Sequence, residues 1–233
     1  MALRILGDAD MAETHGLLPW SSNYTFLVEL AYDGQRALAI YKPLKGERPL
    51  WDFPDGCLYQ REMAAFLVSE ALGWSVIPPT VIRSGPHGIG SVQLYVPHDP
   101  EQHYFTFGRR FPDRLKRISL LDHVINNADR KGGHCLLSYD DEVWAIDHGI
   151  CFHHQDKLRT VIWDFANQPI PDAMMENLID LCDELSNGAL GNQLNDLITR
   201  REQMALRRRI DRLIETGMYP EPGPGRNYPW PPV

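Results

Sequence analysis

The sequence predicts an α+β fold, with an antiparallel β-rich N-terminal half followed by a mainly helical C-terminal half. Three observations carry this. Two β-rich runs, residues 25–30 and 36–43, flank an Asp33-Gly34 turn, the strongest short-range hairpin signal. A helical pattern over residues 59–72, with Met63, Phe66 and Leu67 at helical spacing, separates that hairpin from a second strand pair at 78–82 and 90–96. From residue 172 onward the apolar residues recur at helical spacing up to Thr216.

Taken in order, residues 3–6 read as a short strand and 7–16 as a polar loop. Ser21, Ser22 and Asn23 open the first hairpin strand. Small polar residues there can offer hydroxyls and backbone N–H groups to an anion; a plain turn uses the same residues. Lys42 ends the second strand, before Pro43. It reads either as an edge-strand lysine that guards against aggregation or as a cation placed for phosphates. Residues 45–56 form a loop with Trp51. The helix over 59–72 stops at Gly73. Its Glu62 either faces solvent or turns to the lysine strand, and Glu70 is the weaker candidate. The strand pair turns at 85–88, and Pro97 and Pro100 break the pattern. Residues 103–117 are basic through Arg109, Arg110, Arg114, Lys116 and Arg117, which suits a solvated face or contact with an acidic substrate.

The chain is organised around residues 124–152. A buried helix ends with Leu120, Leu121, Val124 and Ile125, and a polar, Gly-rich loop runs from Asn126 to His134. Residues 135–137 and 143–146 alternate as a hairpin over 139–142. That hairpin brings Asp129, His134 and Asp147 together, which is the set phosphoryl transfer needs: one Asp for the acceptor hydroxyl and two ligands for phosphate-bridging metals. Two unrelated Asp residues on a polar hairpin give the same letters. Beyond Asp147, residues 152–165 contain His153 and His154, which point different ways on a strand, and the Trp163-Asp164 pair reads as an anchor. A helix spans 172–185 with Asp172 as its cap and Asn187-Gly188 as its end. A second spans 193–216, with Met204 on its apolar side and Arg200, Arg201, Arg207, Arg208, Arg209 and Arg212 on its outer face. Residues 219–233, rich in Pro and Gly, form an irregular tail.

The bounds agree with a globular chain of 233 residues, 43% hydrophobic and 23% charged. The domain expectation is a single unit with lobes at about 1–96 and 97–218 and the tail beyond. A net charge of −8 argues against nonspecific nucleic-acid binding. There is no apolar run long enough to span a membrane and no visible secretion signal, and the scattered Cys57, Cys135, Cys151 and Cys182 lack zinc spacing. A reduced, cytoplasmic protein is expected.

Asn127-Ala128-Asp129-Arg130 and Asp147-His148-Gly149 resemble the catalytic loop and metal-binding Asp of the phosphatidylinositol 3-/4-kinase-like and HipA-like atypical kinases, with the chain looking like a small actinobacterial-type member. The resemblance covers about residues 17–165. It implies a compact two-lobed protein-kinase-like fold and an ATP-dependent kinase. Lys42, oriented by Glu62, would hold phosphates with the Ser21-Ser22-Asn23 loop. Backbone groups near Leu94, Tyr95 and Val96 would hold the adenine edge, and Val28, Ile40 and Ile146 would wall its slot. Asp129 would orient the acceptor hydroxyl, Arg130 or Lys131 would offset phosphoryl charge, and His134 and Asp147 would bind Mn²⁺ or Mg²⁺. His134 stands where the family usually has Asn. The implied acceptor is a protein, the chain itself, a small molecule or a lipid headgroup, with the lipid disfavoured by the acidic charge. Two other readings are a nucleotide-binding regulator without turnover and a metal-dependent hydrolase using His123, His134, His148, His153 and His154.

Imidazole is a softer ligand than an amide carbonyl and suits Mn²⁺ better than Mg²⁺. Nucleotide binding is therefore expected to be tighter with Mn²⁺, read by titration calorimetry; equal or tighter binding with Mg²⁺ removes His134 from the ligand set.

Overall fold

Asp33 and Gly34 both take positive φ (48° and 75°), the backbone that a two-residue turn between twisted strands requires. They join β2 (Phe26–Tyr32) to β3 (Gln35–Pro43) in the computed structural model, which describes residues 1–17, 23–107 and 110–233. With β1 (Asp10–Leu17), β4 (Thr80–Gly85) and β5 (Gly88–Leu94) these strands form one antiparallel sheet in the order β1-β2-β3-β5-β4. Gly90 of β5 pairs with Pro43, and a side chain there would strike the Lys42 carbonyl, so the sheet closes tightly beside that lysine.

Strand alternation sorts the sheet into two faces. Val28, Leu30, Ala39, Tyr41 and Val92 point to one side, where they bury Leu6 and Ala9. Leu6 lies on α1 (Ala2–Asp8). The strand expected at 3–6 is thus a helix, and the loop expected at 7–16 holds an edge strand. The backbone ladder to β2 does not depend on side-chain polarity, so a polar edge strand leaves no alternating pattern. Lys42 and Ile40 point to the other side, toward α2 (Leu58–Ala71).

The larger core is built by α2, α4 (Pro112–Ile125), the hairpin of β6 (Cys135–Leu137) and β7 (Val143–Ala145), and the helices α5 (Asp172–Asn187), α6 (Ala189–Asn195) and α7 (Arg200–Thr216). A short α3 (Tyr104–Phe107) precedes α4. Pro171, not Asp172, holds the capping position of α5, and Asp172 lies in its first turn. The single helix expected over 193–216 is two. Thr199 and Glu202 form a capping box that starts α7 afresh: Glu202 N donates to Thr199 Oγ1 (3.3 Å) and Thr199 N to Glu202 Oε2 (2.9 Å). Arg209, expected outside, is buried with its Nε donating to the Val124 carbonyl (2.9 Å), while Met204 is 55% exposed. The tail has no helix or strand, as expected, yet it is tied down. The Asn227 carbonyl accepts from Thr160 N (3.1 Å) and Trp163 Nε1 (3.3 Å), and the Pro232 carbonyl from Gly132 N (2.7 Å).

All four cysteines are free thiols, and among the described residues no helix is long and apolar enough to cross a membrane. One buried ion pair ties α2 to α7. Arg61 Nη2 meets Glu202 Oε1 at 2.6 Å, with both side chains almost fully enclosed, and Arg61 Nη1 donates to the Cys151 carbonyl (2.5 Å). Burial alone would raise the Glu202 carboxyl; Arg61 more than reverses this and holds it below its ordinary value. Its contribution is therefore complete above the unfolded value near about 4.3 and is lost as pH falls through the depressed folded value. Glu202→Ala is expected to cost about 3–5 kcal/mol at neutral pH, because it strands Arg61 in the core. Urea unfolding measures this, and a loss under about 1 kcal/mol would show that the pair is not a structural tie.

Candidate active site

β3 ends with Lys42 pointing at the cleft, where its Nζ donates to Glu62 of α2 and to Asp147 Oδ1 (2.9 Å). Three elements thus converge on one ammonium. Burial alone would lower the lysine; Asp147 and Glu62 outweigh it and hold it charged, above its ordinary value. The other Glu62 oxygen, Oε2, accepts the backbone N–H of His148 (2.9 Å), so α2 also fixes the chain just after Asp147. Asp147 takes a left-handed backbone (φ 61°), a strained conformation that Asp tolerates better than most residues. Desolvation in the cleft would raise its carboxyl, but the adjacent Lys42 ammonium holds it well below the usual carboxylate range.

The residues of the loop from Asn126 to His134 follow α4. Asn126 ends that helix in the left-handed region (φ 54°), and its amide binds the carbonyls of His153 (2.9 Å) and Gln155 (2.7 Å). Asn127 Oδ1 accepts the Asp129 N–H at 3.0 Å. Burial pushes the Asp129 carboxyl up to about 6 against the pull of Lys131, whose Nζ is 3.6 Å from Oδ2. His134 lies in a 3-10 turn (Gly132–His134), with Nε2 3.5 Å from Asp147 Oδ2. Its Nδ1 is 3.0 Å from the Asp129 carbonyl. The Lys131 N–H lies 3.4 Å from the same Nδ1, so the ring is held from both sides with Nε2 turned to Asp147. Burial pulls the imidazole down to about 4, so it is neutral and free to ligate at neutral pH.

Arg130 is a correction. It is fully buried, and its guanidinium is bidentate to Asp122 (3.0 Å from Nη2 to Oδ1 and from Nε to Oδ2). Its remaining donors go to the Ile146 carbonyl (2.8 Å), the His134 carbonyl (3.3 Å) and His148 Nε2 (2.6 Å). It has no donor left for a phosphoryl group, and Lys131 is the cation that stands beside Asp129. Asp122 itself is marked in the sequence only as a carboxylate inside the apolar run of residues 118–125, a position that demands a buried partner.

The cavity at Lys42 is lined by Asn23, Tyr24, Glu47, Glu62, Asp129 and Asp147, among others. Ser21 and Ser22 lie outside the described residues, as does Arg109. Asn23 Oδ1 accepts the Arg48 N–H (2.8 Å). Glu47, not anticipated from sequence, caps α2 by accepting from Leu58 N (3.0 Å) and Tyr59 N (2.8 Å). Leu94, Tyr95, Val96 and Ile146 do not line this cavity. The N–H groups of Leu94 and Tyr95 are used within the sheet, on the Pro79 (2.8 Å) and Leu38 (3.0 Å) carbonyls. Val28 belongs to the core under α1 and cannot wall the cleft. Among the described residues no three His, Cys, Asp or Glu side chains converge on a metal position. The histidines of the hydrolase reading are dispersed: His123 packs edge-on to Trp163, His148 sits on Arg130, and His153 stacks on His154. His134 Nε2 and Asp147 Oδ2, 3.5 Å apart, are two donors that would suit an ion taking its other ligands from phosphates and water.

A sheet lysine locked to a helix glutamate, above an acidic loop closed by a short hairpin, is the layout of a protein-kinase-like fold. The solved Golgi casein kinase superposes with a TM-score of 0.56 at 16% identity, covering 92% of this chain and 74% of that one. The family model for phosphatidylinositol 3- and 4-kinase matches residues 60–195, and the chain belongs to that family. Protein Rv2133c of Mycobacterium tuberculosis is 38% identical over 97% of this chain and 94% of its own length. Phosphatidylinositol 4-kinase gamma 4 of Oryza sativa subsp. japonica is 29% identical over 56% of this chain, which spans only 29% of that protein.

Arg130→Gln is expected to lower stability by about 3–5 kcal/mol, because Asp122 is left buried without its partner. A variant with wild-type unfolding but no phosphoryl transfer would return Arg130 to the chemistry.

Proposed function

We propose that the protein is an ATP-dependent phosphotransferase that moves the γ-phosphate to a hydroxyl acceptor. The observation that carries this reading is the joint hold of Glu62 and Asp147 on Lys42, since a lysine placed this way between a helix carboxylate and a loop carboxylate is poised for nucleotide phosphates. Asn23 at the cavity rim, with Ser21 and Ser22 before it, completes the phosphate-binding side. Val96 and Ile146, set back from the cavity at Lys42, are assigned to the adenine on the family resemblance alone. Mn²⁺ or Mg²⁺ held by His134 and Asp147 would neutralise charge on the phosphates. Asp129, largely ionised at neutral pH even with its raised pKa, orients the acceptor hydroxyl and takes its proton. Lys131 offsets charge on the transferring group.

The acceptor is a protein, the chain itself or a small molecule ahead of a phosphoinositide; the net charge of −8 disfavours an anionic membrane surface. The four free thiols agree with a reducing, cytoplasmic setting. A nucleotide-binding regulator without turnover is the second reading, favoured by His134 at the ligand position where the family usually has Asn.

Titration calorimetry of ATP with Mn²⁺ and with Mg²⁺, on wild type and Asp147→Asn, tests the site. Metal-dependent binding that Asp147→Asn abolishes is expected, and no ATP binding with either metal sinks the proposal. Asp129→Asn is expected to cut turnover about 10²–10⁴-fold while ATP affinity holds. Tight binding with no turnover by the wild type would leave the regulator reading.

A further inference from the structure

A second cavity, of about 600 Å³, lies between the segment after Asp147, α7 and the tail. It shares no lining residue with the cleft at Lys42. In a chain of net charge −8 its lining is basic: Lys157, Arg159, Arg209, Arg212 and Arg226 against Asp156 and Glu221. The carboxylates are exposed at its rim, where Asp156 Oδ2 is 3.9 Å from Arg212 Nη1 and Glu221 accepts from Asn167 (3.2 Å). Lys157 is already engaged, with its ammonium 2.7 Å from Asp52 Oδ2.

Arg159 and Arg209 are different. Arg209 is 9% exposed; Nε and Nη1 reach the carbonyls of Val124 (2.9 Å) and His153 (3.4 Å), but its buried Nη2 has no partner. The buried Nε of Arg159 also has none. Buried guanidinium donors are normally satisfied, and two unsatisfied ones on residues lining one cavity are open to an acceptor the protein does not supply. We propose that this cavity is a binding site for a phosphate-bearing anion, anchored by Arg159 and Arg209, with Arg212 and Arg226 at its mouth. Burial without a paired carboxylate pulls the Arg209 guanidinium down only to about 10, so it keeps its charge at neutral pH.

The position gives the site leverage on the catalytic loop. Arg159 N donates to the Asn127 carbonyl (2.9 Å), and the Arg159 carbonyl accepts from Arg130 N (2.9 Å). An anion on Arg159 therefore acts on the strand of chain that flanks Asp129 on both sides. The proposal does not rest on phosphotransfer at the cleft.

The test is calorimetric titration of the full chain with inorganic pyrophosphate, in metal-free buffer at low salt, on wild type, Arg159→Gln, Arg209→Gln and Lys42→Met. A pyrophosphate site that survives in Lys42→Met is expected, and binding at that site at least about tenfold weaker in Arg159→Gln. Arg209→Gln is expected to weaken binding as well; because Arg159 is only half-buried, its variant decides the matter if Arg209→Gln fails to fold. Sedimentation with phosphatidylcholine vesicles, with and without phosphatidylinositol 4-phosphate, separates the sources. Capture that needs the phosphoinositide and Arg159 assigns a lipid headgroup, and pyrophosphate binding alone assigns a soluble ligand. Binding lost in Lys42→Met and kept in Arg159→Gln places the anion in the cleft and overturns the proposal, as does no binding to either probe.

Discussion

The buried pair of Asp122 and Arg130 is the constraint on which the rest of the site depends. Both side chains are fully enclosed, so neither charge can go unmatched without a large desolvation cost. Asp122 also accepts from Asn127 Nδ2 (2.9 Å) and Thr160 Oγ1 (3.3 Å). Arg130 reaches the carbonyls that flank the β6–β7 hairpin, on His134 and Ile146. One ion pair thereby fastens the end of α4, the loop that carries Asp129, the exit of β7 and the segment beyond it. Asp129 lies one residue before Arg130 and Asp147 one residue after Ile146, so both inherit their positions from that knot. A buried network of this kind, with its charges paired, holds its members in one geometry.

The cleft above it works by imbalance. Lys42 faces two carboxylates, Glu62 and Asp147, and this keeps Asp147 ionised while the more enclosed Asp129 is raised toward neutrality. Two acids in one cleft thus receive different proton affinities from their surroundings, the lysine serving one and burial the other. The neutral His134 between them adds a donor without adding charge.

Much of this was legible in the sequence. The Asp-Gly hairpin, the lysine at its end, the helix bearing Glu62 and the order Asp129, His134, Asp147 all express local rules of turn chemistry and periodicity, and the structure brings those five residues together. What was illegible depends on contacts far along the chain. Nothing near residue 3 says that Leu6 will lie on the outer face of a sheet formed later. Arg130 reads as a free cation until Asp122, eight residues earlier, is seen to face it inside the core. Arg209 looks like one arginine among many on a basic helix, because the Val124 carbonyl it serves lies 85 positions away. The break before α7 could have been read, since the Thr199 and Glu202 pair is a capping signature in its own right.

Adjacent residues of α2 are committed in different directions. Arg61 is sunk in the helical half through Glu202 and the Cys151 carbonyl, while Glu62 serves the sheet's lysine and the His148 backbone. Pivoting this helix away from the cleft would break both commitments at once, leaving Glu202 without Arg61 in one place and Lys42 without Glu62 in the other. The helix is accordingly the shared axle of the two halves, and the loop over residues 44–56 is tied to it as well, through Glu47 at its first turn.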